Sequence, residues 1–295
     1  MRRTRTGKRI ELTSRDIEIF KLLGRYRYLR STYIHAFVGG ASETRFKERL
    51  GDLFHEGYLD RPTQQWEFAD ARHRPAVYEI GAGARRVLQE AGGTSGDART
   101  FLSEAFHRQF LHSLMICELL ASLDIGIRAN PRLRLIAWPE ILGRAPEATR
   151  SSPTPFRVPL PSGGYLVPDG LFGIEYGSTG AKAYRFFALE ADRGMMPVAR
   201  SNSSQSSYLG KLATYREIID RRLYKTHMGL PNLLVLTTMT SEKRLSETLR
   251  RSGEAEGSPQ FLFKVIDADV SREPLLRLLT EPWERAGLPP LAIDH

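Results

Sequence analysis

Apolar and polar positions follow a helical period through the N-terminal part of the chain. Ile17, Phe20, Leu22 and Leu23 mark one stripe, and Thr13 stands three residues before Asp16, the spacing of a capping box. A second, short helix capped by Ser31 is predicted over Thr32–Val38 and stops at Gly39-Gly40. A third, capped by Ser42, runs from Glu43 to about His55, ends by Gly57 and turns Phe46, Leu50, Leu53 and Phe54 inward. Tyr58–Arg61 and Ala76–Ile80 read as a strand and its returning partner, and Gly83–Glu90 as a closing helix.

The pattern changes after the Gly/Ser-rich stretch 91–100. A long helix is predicted over Phe101–Leu123 and a strand over Leu133–Trp138. Residues 143–155 are polar and Pro-rich and read as loop, and a hairpin turns at Pro161–Gly164. Phe186-Phe187-Ala188-Leu189 is apolar at every position, as in a strand buried on both faces. Tyr208, Leu212, Tyr215 and Ile219 form the core stripe of a helix over Tyr208–Arg221, with Lys211 flanking it. Asn232–Thr238 is a central strand, Glu242–Arg251 a helix, Phe261–Ile266 a strand, and Glu273–Arg285 a last helical region broken by Pro282. The fold class is α+β in two domains. A basic arm (1–10) and a first domain (11–92) are joined by a linker (93–100) to a second domain (101–295) built on a mixed sheet with helices on its faces.

Charge sharpens this division. The chain carries a net +9, and residues 1–96 hold 18 basic and 12 acidic residues, a net of +6, against +3 for the rest. That excess points to nucleic acid. The single Cys117 excludes an internal disulfide and a cysteine-rich zinc site. No apolar run approaches the roughly 20 residues that span a bilayer, so the expected setting is cytoplasmic, with no membrane partner.

Three short helices followed by a hairpin form the pattern of a winged helix, in which the third helix enters the major groove of duplex DNA. Thr44, Arg45, Lys47 and Arg49 on that helix, Arg72 and Arg74 at the wing tip, and Arg2, Arg3 and Arg5 of an arm with no structure of its own are the candidate DNA contacts.

Three carboxylates mark the second domain. Asp169 heads one strand-like run, and Glu190 and Asp192, two apart on one strand face, end the next. Buried acids need cationic partners, and a divalent metal held by oxygen ligands is one such partner. Arg185, Arg193 or Lys211 paired with the same acids is another. No Gly-rich phosphate loop followed by Lys-Ser/Thr is present, so no nucleotide cofactor is expected, and no Gly-x-Ser-x-Gly elbow is present either.

The order helix, three strands, helix, strand, with Pro168-Asp169 and Glu190-Ala191-Asp192 in these places, resembles the PD-(D/E)xK restriction-endonuclease-like fold. That resemblance implies Mg²⁺ held by Asp169, Glu190 and Asp192. The sequence departs from the motif in carrying Asp192 where a Lys is expected, and Lys211 is the candidate replacement. The chain as a whole resembles the replication-relaxation family of plasmid- and phage-borne proteins. The resemblance is carried by Leu12-Thr-Ser-Arg-Asp-Ile-Glu-Ile19, Arg27-Tyr-Leu29, Arg49-Leu50, Glu56-Gly-Tyr-Leu-Asp-Arg61 and Val77-Tyr-Glu-Ile-Gly-Ala-Gly83. It continues through Val167-Pro-Asp-Gly-Leu-Phe172, Leu189-Glu-Ala-Asp-Arg-Gly194 and Lys211-Leu-Ala-Thr-Tyr215. It implies a DNA-binding protein of plasmid replication or relaxation and assigns no reaction. The expectation is a protein that binds double-stranded DNA, with a homodimer as a candidate assembly, and that either cleaves DNA or serves replication or transcription without catalysis.

Overall fold

The computed structural model describes residues 3–4, 6–40, 42–67, 73–92, 110–177, 182–194, 208–254, 259–266 and 272–295. The chain divides into two compact units, one of Met1–Ile125 with Ser271–Leu275 and one of Gly126–Val270 with Leu276–His295. The predicted linker 93–100 lies outside the described residues, and the division falls within the long helix that follows it.

In the first unit the order is α1 (Ser14–Tyr26), β1 (Leu29–Arg30), α2 (Ser31–Val38), α3 (Glu43–His55), β2 (Leu59–Asp60), β3 (Val77–Ile80) and α4 (Ala82–Glu90). The three strands form an antiparallel sheet ordered β1-β3-β2. The predicted starts of α1 and α3 hold: Thr13 and Asp16 make a reciprocal capping box, and Ser42 accepts from the Arg45 N–H. Ser31 does not cap α2 but lies inside it, behind an Arg30 N-cap that makes no side-chain cap bond. Ile19, Phe20 and Leu23 of α1, Tyr33 and Ile34 of α2, and Leu50 and Leu53 of α3 are buried together with Leu59 of β2.

Two sequence expectations need correction here. Where it is described, the N-terminal arm is docked and structured. The Arg3 guanidinium donates to the Phe54 and Leu59 carbonyls and pairs with Asp60, Lys8 pairs with Asp52, and Thr6 bonds Glu56. The reason is that α3 and β2 leave carbonyls and acids along their ends that the arm's cations satisfy. The segment between β2 and β3 also differs from a plain hairpin. Thr63–Glu67 is a short 3-10 turn whose buried Gln65 amide accepts from the Val77 N–H and donates to the Pro62 and Val77 carbonyls.

The helix α5 (Phe110–Ala129) is long and apolar enough to cross a membrane by length and composition, contrary to the expectation that no apolar run reaches that length. Its most apolar stretch is 78% buried, as in the core helix of a folded domain. Up to Ile125 the helix belongs to the first unit, and its polar groups there are paired within that unit: Glu118 pairs with the buried Arg30, and Asp124 accepts from the Tyr26 hydroxyl and pairs with Arg25.

The second unit continues with β4 (Leu133–Ile136), α6 (Trp138–Arg144), α7 (Glu147–Arg150), β5 (Val158–Pro159), β6 (Tyr165–Leu166), β7 (Gly170–Gly177), β8 (Lys182–Asp192), α8 (Tyr208–Asp220), α9 (Leu223–Met228), β9 (Leu234–Met239), α10 (Glu242–Glu254), β10 (Phe261–Val265), α11 (Arg277–Thr280), β11 (Trp283–Arg285) and β12 (Leu288–Leu291). A mixed sheet is ordered β12-β11-β10-β9-β8-β7-β4, parallel across β8-β9 and β9-β10 and antiparallel elsewhere. β5 and β6 form the predicted hairpin. The last helical region shrinks to α11, because Pro282 ends it and Gly287, with φ +69, turns the chain into the β11–β12 hairpin. Pro289 and Pro290 lie on β12, at the sheet edge, where proline removes donors that another chain could pair with. Between β7 and β8, Gly173 opposes Phe186, whose ring would meet an added Cβ at 2.8 Å, and Phe172 stacks on Phe187 with ring centroids 5.2 Å apart.

The Asp16 carboxylate joins α1 to α3. It receives a two-pronged bond from Arg49, Nε at 3.0 Å and Nη2 at 2.6 Å, besides capping α1. Burial opposes its charge, but the bonds from Arg49 and Thr13 outweigh burial and hold it below the ordinary carboxylate range. Asp16→Ala should lower the unfolding free energy by about 2 kcal/mol in a urea titration, because the half-buried Arg49 loses its carboxylate partner and α1 loses one half of its capping box. A loss below about 1 kcal/mol would reduce this contact to an ordinary surface ion pair.

Candidate functional site

The site is built where β7 begins and β8 ends. The two strands are antiparallel, so Gly170 opposes Leu189, and Asp169, one residue ahead, continues that register toward Glu190. The Ala191 N–H donates to Asp169 Oδ2 at 3.0 Å, which fixes that carboxylate against the end of β8. Phe187, Ala188 and Leu189 are fully buried, as their unbroken apolar run predicts, and Glu190 follows them into the interior.

Helix α8 supplies the partners. Lys211 Nζ donates to Glu190 Oε2 and lies 3.9 Å from Asp169 Oδ1, so both carboxylates face one ammonium. Tyr215, one turn further on, donates its hydroxyl to the other Glu190 oxygen. Tyr208 at the start of the helix donates to Thr237 Oγ1 at 2.7 Å on the neighbouring strand β9, where Thr237 is paired in register with Glu190.

Burial and the nearby Asp169 charge raise the Glu190 carboxyl to about 8, against the opposing effects of Lys211 and Tyr215. For Lys211 burial works against the charge, but Asp169 and Glu190 prevail and raise it above the ordinary lysine range. Both tyrosines are raised by burial, Tyr215 further by Glu190.

Asp192 stands apart from this group. Its Oδ2 accepts from Arg244 Nε of α10 and its Oδ1 from the Gly194 N–H at 2.9 Å. The Arg244 guanidinium also lies 6.0 Å from the Tyr208 ring centroid. Of the four catalytic candidates, the structure brings Asp169, Glu190 and Lys211 together and places Asp192 in a separate ion pair. Among the described residues no three His, Cys, Asp or Glu side chains gather as a metal-binding cluster. Mg²⁺ commonly takes only one or two protein carboxylates and fills its octahedron with water or phosphate oxygens. Asp169 and Glu190 fit that smaller donor set, with Lys211 now balancing the charge a metal would balance.

Tyr215 and Arg244 are not among the candidates the sequence offers, and the helical period puts Tyr215 on the core stripe. The signal that could have marked it is its i,i+4 spacing from Lys211. Arg244 is 52 residues from Asp192, and no local pattern connects them.

The DNA-contact candidates fall into three groups. Thr44, Arg45 and Lys47 are exposed on the first turns of α3, with Lys47 bonded to Glu43 at 2.7 Å across the surface. Arg49 is occupied by Asp16 and by the Glu11 carbonyl, and Arg3 by its contacts to the end of α3 and to β2. Arg74 is half-buried, and Arg2, Arg5 and Arg72 lie outside the described residues.

The raised Glu190 pKa has a definite consequence for stability. The folded state holds this proton up to about pH 8, whereas an unfolded glutamate releases it near 4.5. The contribution is therefore fully present below pH 4.5 and is lost as pH rises through 8. Glu190→Gln should gain thermal stability relative to wild type between pH 5 and pH 9, by several degrees in a calorimetric melt, on the order of a few kcal/mol. A pH-independent difference would mean that Glu190 is ionised throughout.

No curated protein and no solved structure matches the chain. A family model described as replication-relaxation matches residues 20–234, which takes in α3, both site strands and α8. The chain belongs to the replication-relaxation family.

Proposed function

We propose that the protein is a cytoplasmic DNA-binding protein of a replicating mobile element, with a Mg²⁺-dependent phosphodiester-cleaving site at Asp169, Glu190 and Lys211. The observation that carries the cleavage reading is the convergence of Asp169 and Glu190 on Lys211 Nζ at the ends of two antiparallel strands. It joins a nuclease-like order of elements to a set of oxygen donors and a cation. Bound Mg²⁺ would supply charge neutralisation of the phosphate and an acidified water. Asp169 and Glu190 would hold it, and Lys211 would be freed to face a non-bridging phosphate oxygen. Tyr215 fixes the Glu190 rotamer and keeps one of its oxygens occupied.

The first unit supports duplex binding through a winged-helix reading. Its exposed Thr44, Arg45 and Lys47 lie on the first turns of α3, which would enter the major groove. Arg49 and Arg3 also bond partners within the unit, Arg49 to Asp16 and Arg3 to the end of α3.

The competing reading is a replication accessory protein or transcriptional regulator without catalysis. The observation favouring it is that each acid has a protein partner, Lys211 for Glu190 and Arg244 for Asp192. Nicking of supercoiled plasmid in Mg²⁺ or Mn²⁺ separates the two. We expect wild type to nick and Asp169→Asn to lose about a hundred-fold or more in rate. Equal rates for wild type and Asp169→Asn would leave the accessory reading standing.

Duplex binding has its own test. Arg45→Ala with Lys47→Ala should weaken affinity and flatten the plot of log affinity against log salt by about 2 units, one per lost phosphate contact. An unchanged slope would remove α3 from the interface.

A further inference from the structure

The hairpin β5–β6 runs into the candidate site, because Leu166 is followed by Val167, Pro168 and Asp169. Its inner side chains Val158 and Leu166 are buried and line a small apolar cavity with Tyr224 and Met228 of α9. Its tip is tied to α8, the helix of Lys211, by Ser162, whose N–H donates to Glu217 Oε1 at 3.0 Å and whose hydroxyl donates to Oε2.

On this anchored hairpin Tyr165 points the other way. It is 55% exposed, more than any other large hydrophobic side chain among the described residues. The Arg157 guanidinium lies 4.7 Å from its ring centroid, so the ring is held in a cation–π contact while most of its surface stays open to solvent. A single exposed aromatic is ordinary. This one differs in being braced by a guanidinium on a hairpin fixed at both ends. Helix α9 packs on β5 and carries exposed Lys225, with Arg222 ahead of it in a left-handed conformation with φ +53, and α7, bonded to α9, carries exposed Arg150. Thr149 of α7 bonds the His227 carbonyl of α9, which keeps these two helices in one layer.

We propose that Tyr165 and Arg157 form a base-stacking platform for single-stranded DNA, with Arg150, Arg222 and Lys225 tracking its phosphates. A π-face accepts any base, and flanking cations follow the backbone, so the platform would be indifferent to sequence. Being three residues from Pro168 and continuous with Asp169, it would hold the unpaired strand beside the cleavage site. The inference rests on nucleic acid being the substrate of that site, and its test reads binding without cleavage.

The test uses the full-length chain in EDTA, with fluorescein-labelled oligothymidylate and, separately, a labelled duplex of equal length. Tyr165→Ala should bind the single strand about ten-fold more weakly, Tyr165→Phe should bind as wild type, and duplex affinity should hold in both. An oligonucleotide carrying 5-iododeoxyuridine should cross-link to Tyr165 on irradiation. Unchanged single-strand affinity in Tyr165→Ala, or an equal loss on duplex, would overturn the platform. Asp169→Asn keeps the two readings apart. If it nicks as wild type does while Tyr165-dependent binding persists, the cleavage reading fails and the platform stands. If it loses nicking while Tyr165→Ala binds normally, the reverse holds.

Discussion

Lys211 is the group on which the second unit's site depends. Two carboxylates, Asp169 and Glu190, are brought to the same place by strand pairing, and one of them is buried. Once Glu190 ionises, the arrangement without a cation would place like charges together away from water, which proteins avoid by protonation or by supplying a partner. The ammonium of Lys211 is that partner, and Tyr215 satisfies the remaining Glu190 oxygen. Helix α8 is therefore tied to the sheet by polar contacts as well as by its apolar stripe. A change at Lys211 would disturb both the charge balance and the seat of the helix.

The same economy recurs elsewhere in the chain. Arg49 reaches the buried Asp16, Arg30 reaches Glu118, and Arg244 reaches Asp192. Several arginines that look like surface charge in the sequence are committed to acids inside the fold. This reduces the cations α3 can present to DNA, and it explains why a net charge of +9 overstates the basic surface. It also separates Asp192 from the other two acids. The candidate chemistry rests on a pair of carboxylates and a lysine, and Arg244 holds Asp192 in an ion pair of its own.

Much of this fold is written in short-range patterns. Thr13 with Asp16, Ser42 before α3, the apolar run ahead of Glu190 and the Gly-rich hairpin tip each act within a few residues, and each was legible. The placement of Asp169 and Glu190 at neighbouring strand ends also follows from local order plus antiparallel pairing. What could not be read is long-range. The docking of the N-terminal arm on α3, the engagement of Arg49 by Asp16 and the capture of Asp192 by Arg244 all join residues more than thirty positions apart. Charged side chains of this kind have no period that reveals a partner. The end of the chain differs for another reason: the leucines of 275–279 suggest a longer helix, while Pro282 and Gly287 set the hairpin that follows.

The most direct test of the two-carboxylate site is Mn²⁺ binding followed by electron paramagnetic resonance, with Mn²⁺ standing in for Mg²⁺. The account predicts one site on the wild-type chain, lost in Asp169→Asn and in Glu190→Gln and kept in Asp192→Asn. Binding that survives Asp169→Asn, or that depends on Asp192 to the same degree, would contradict it.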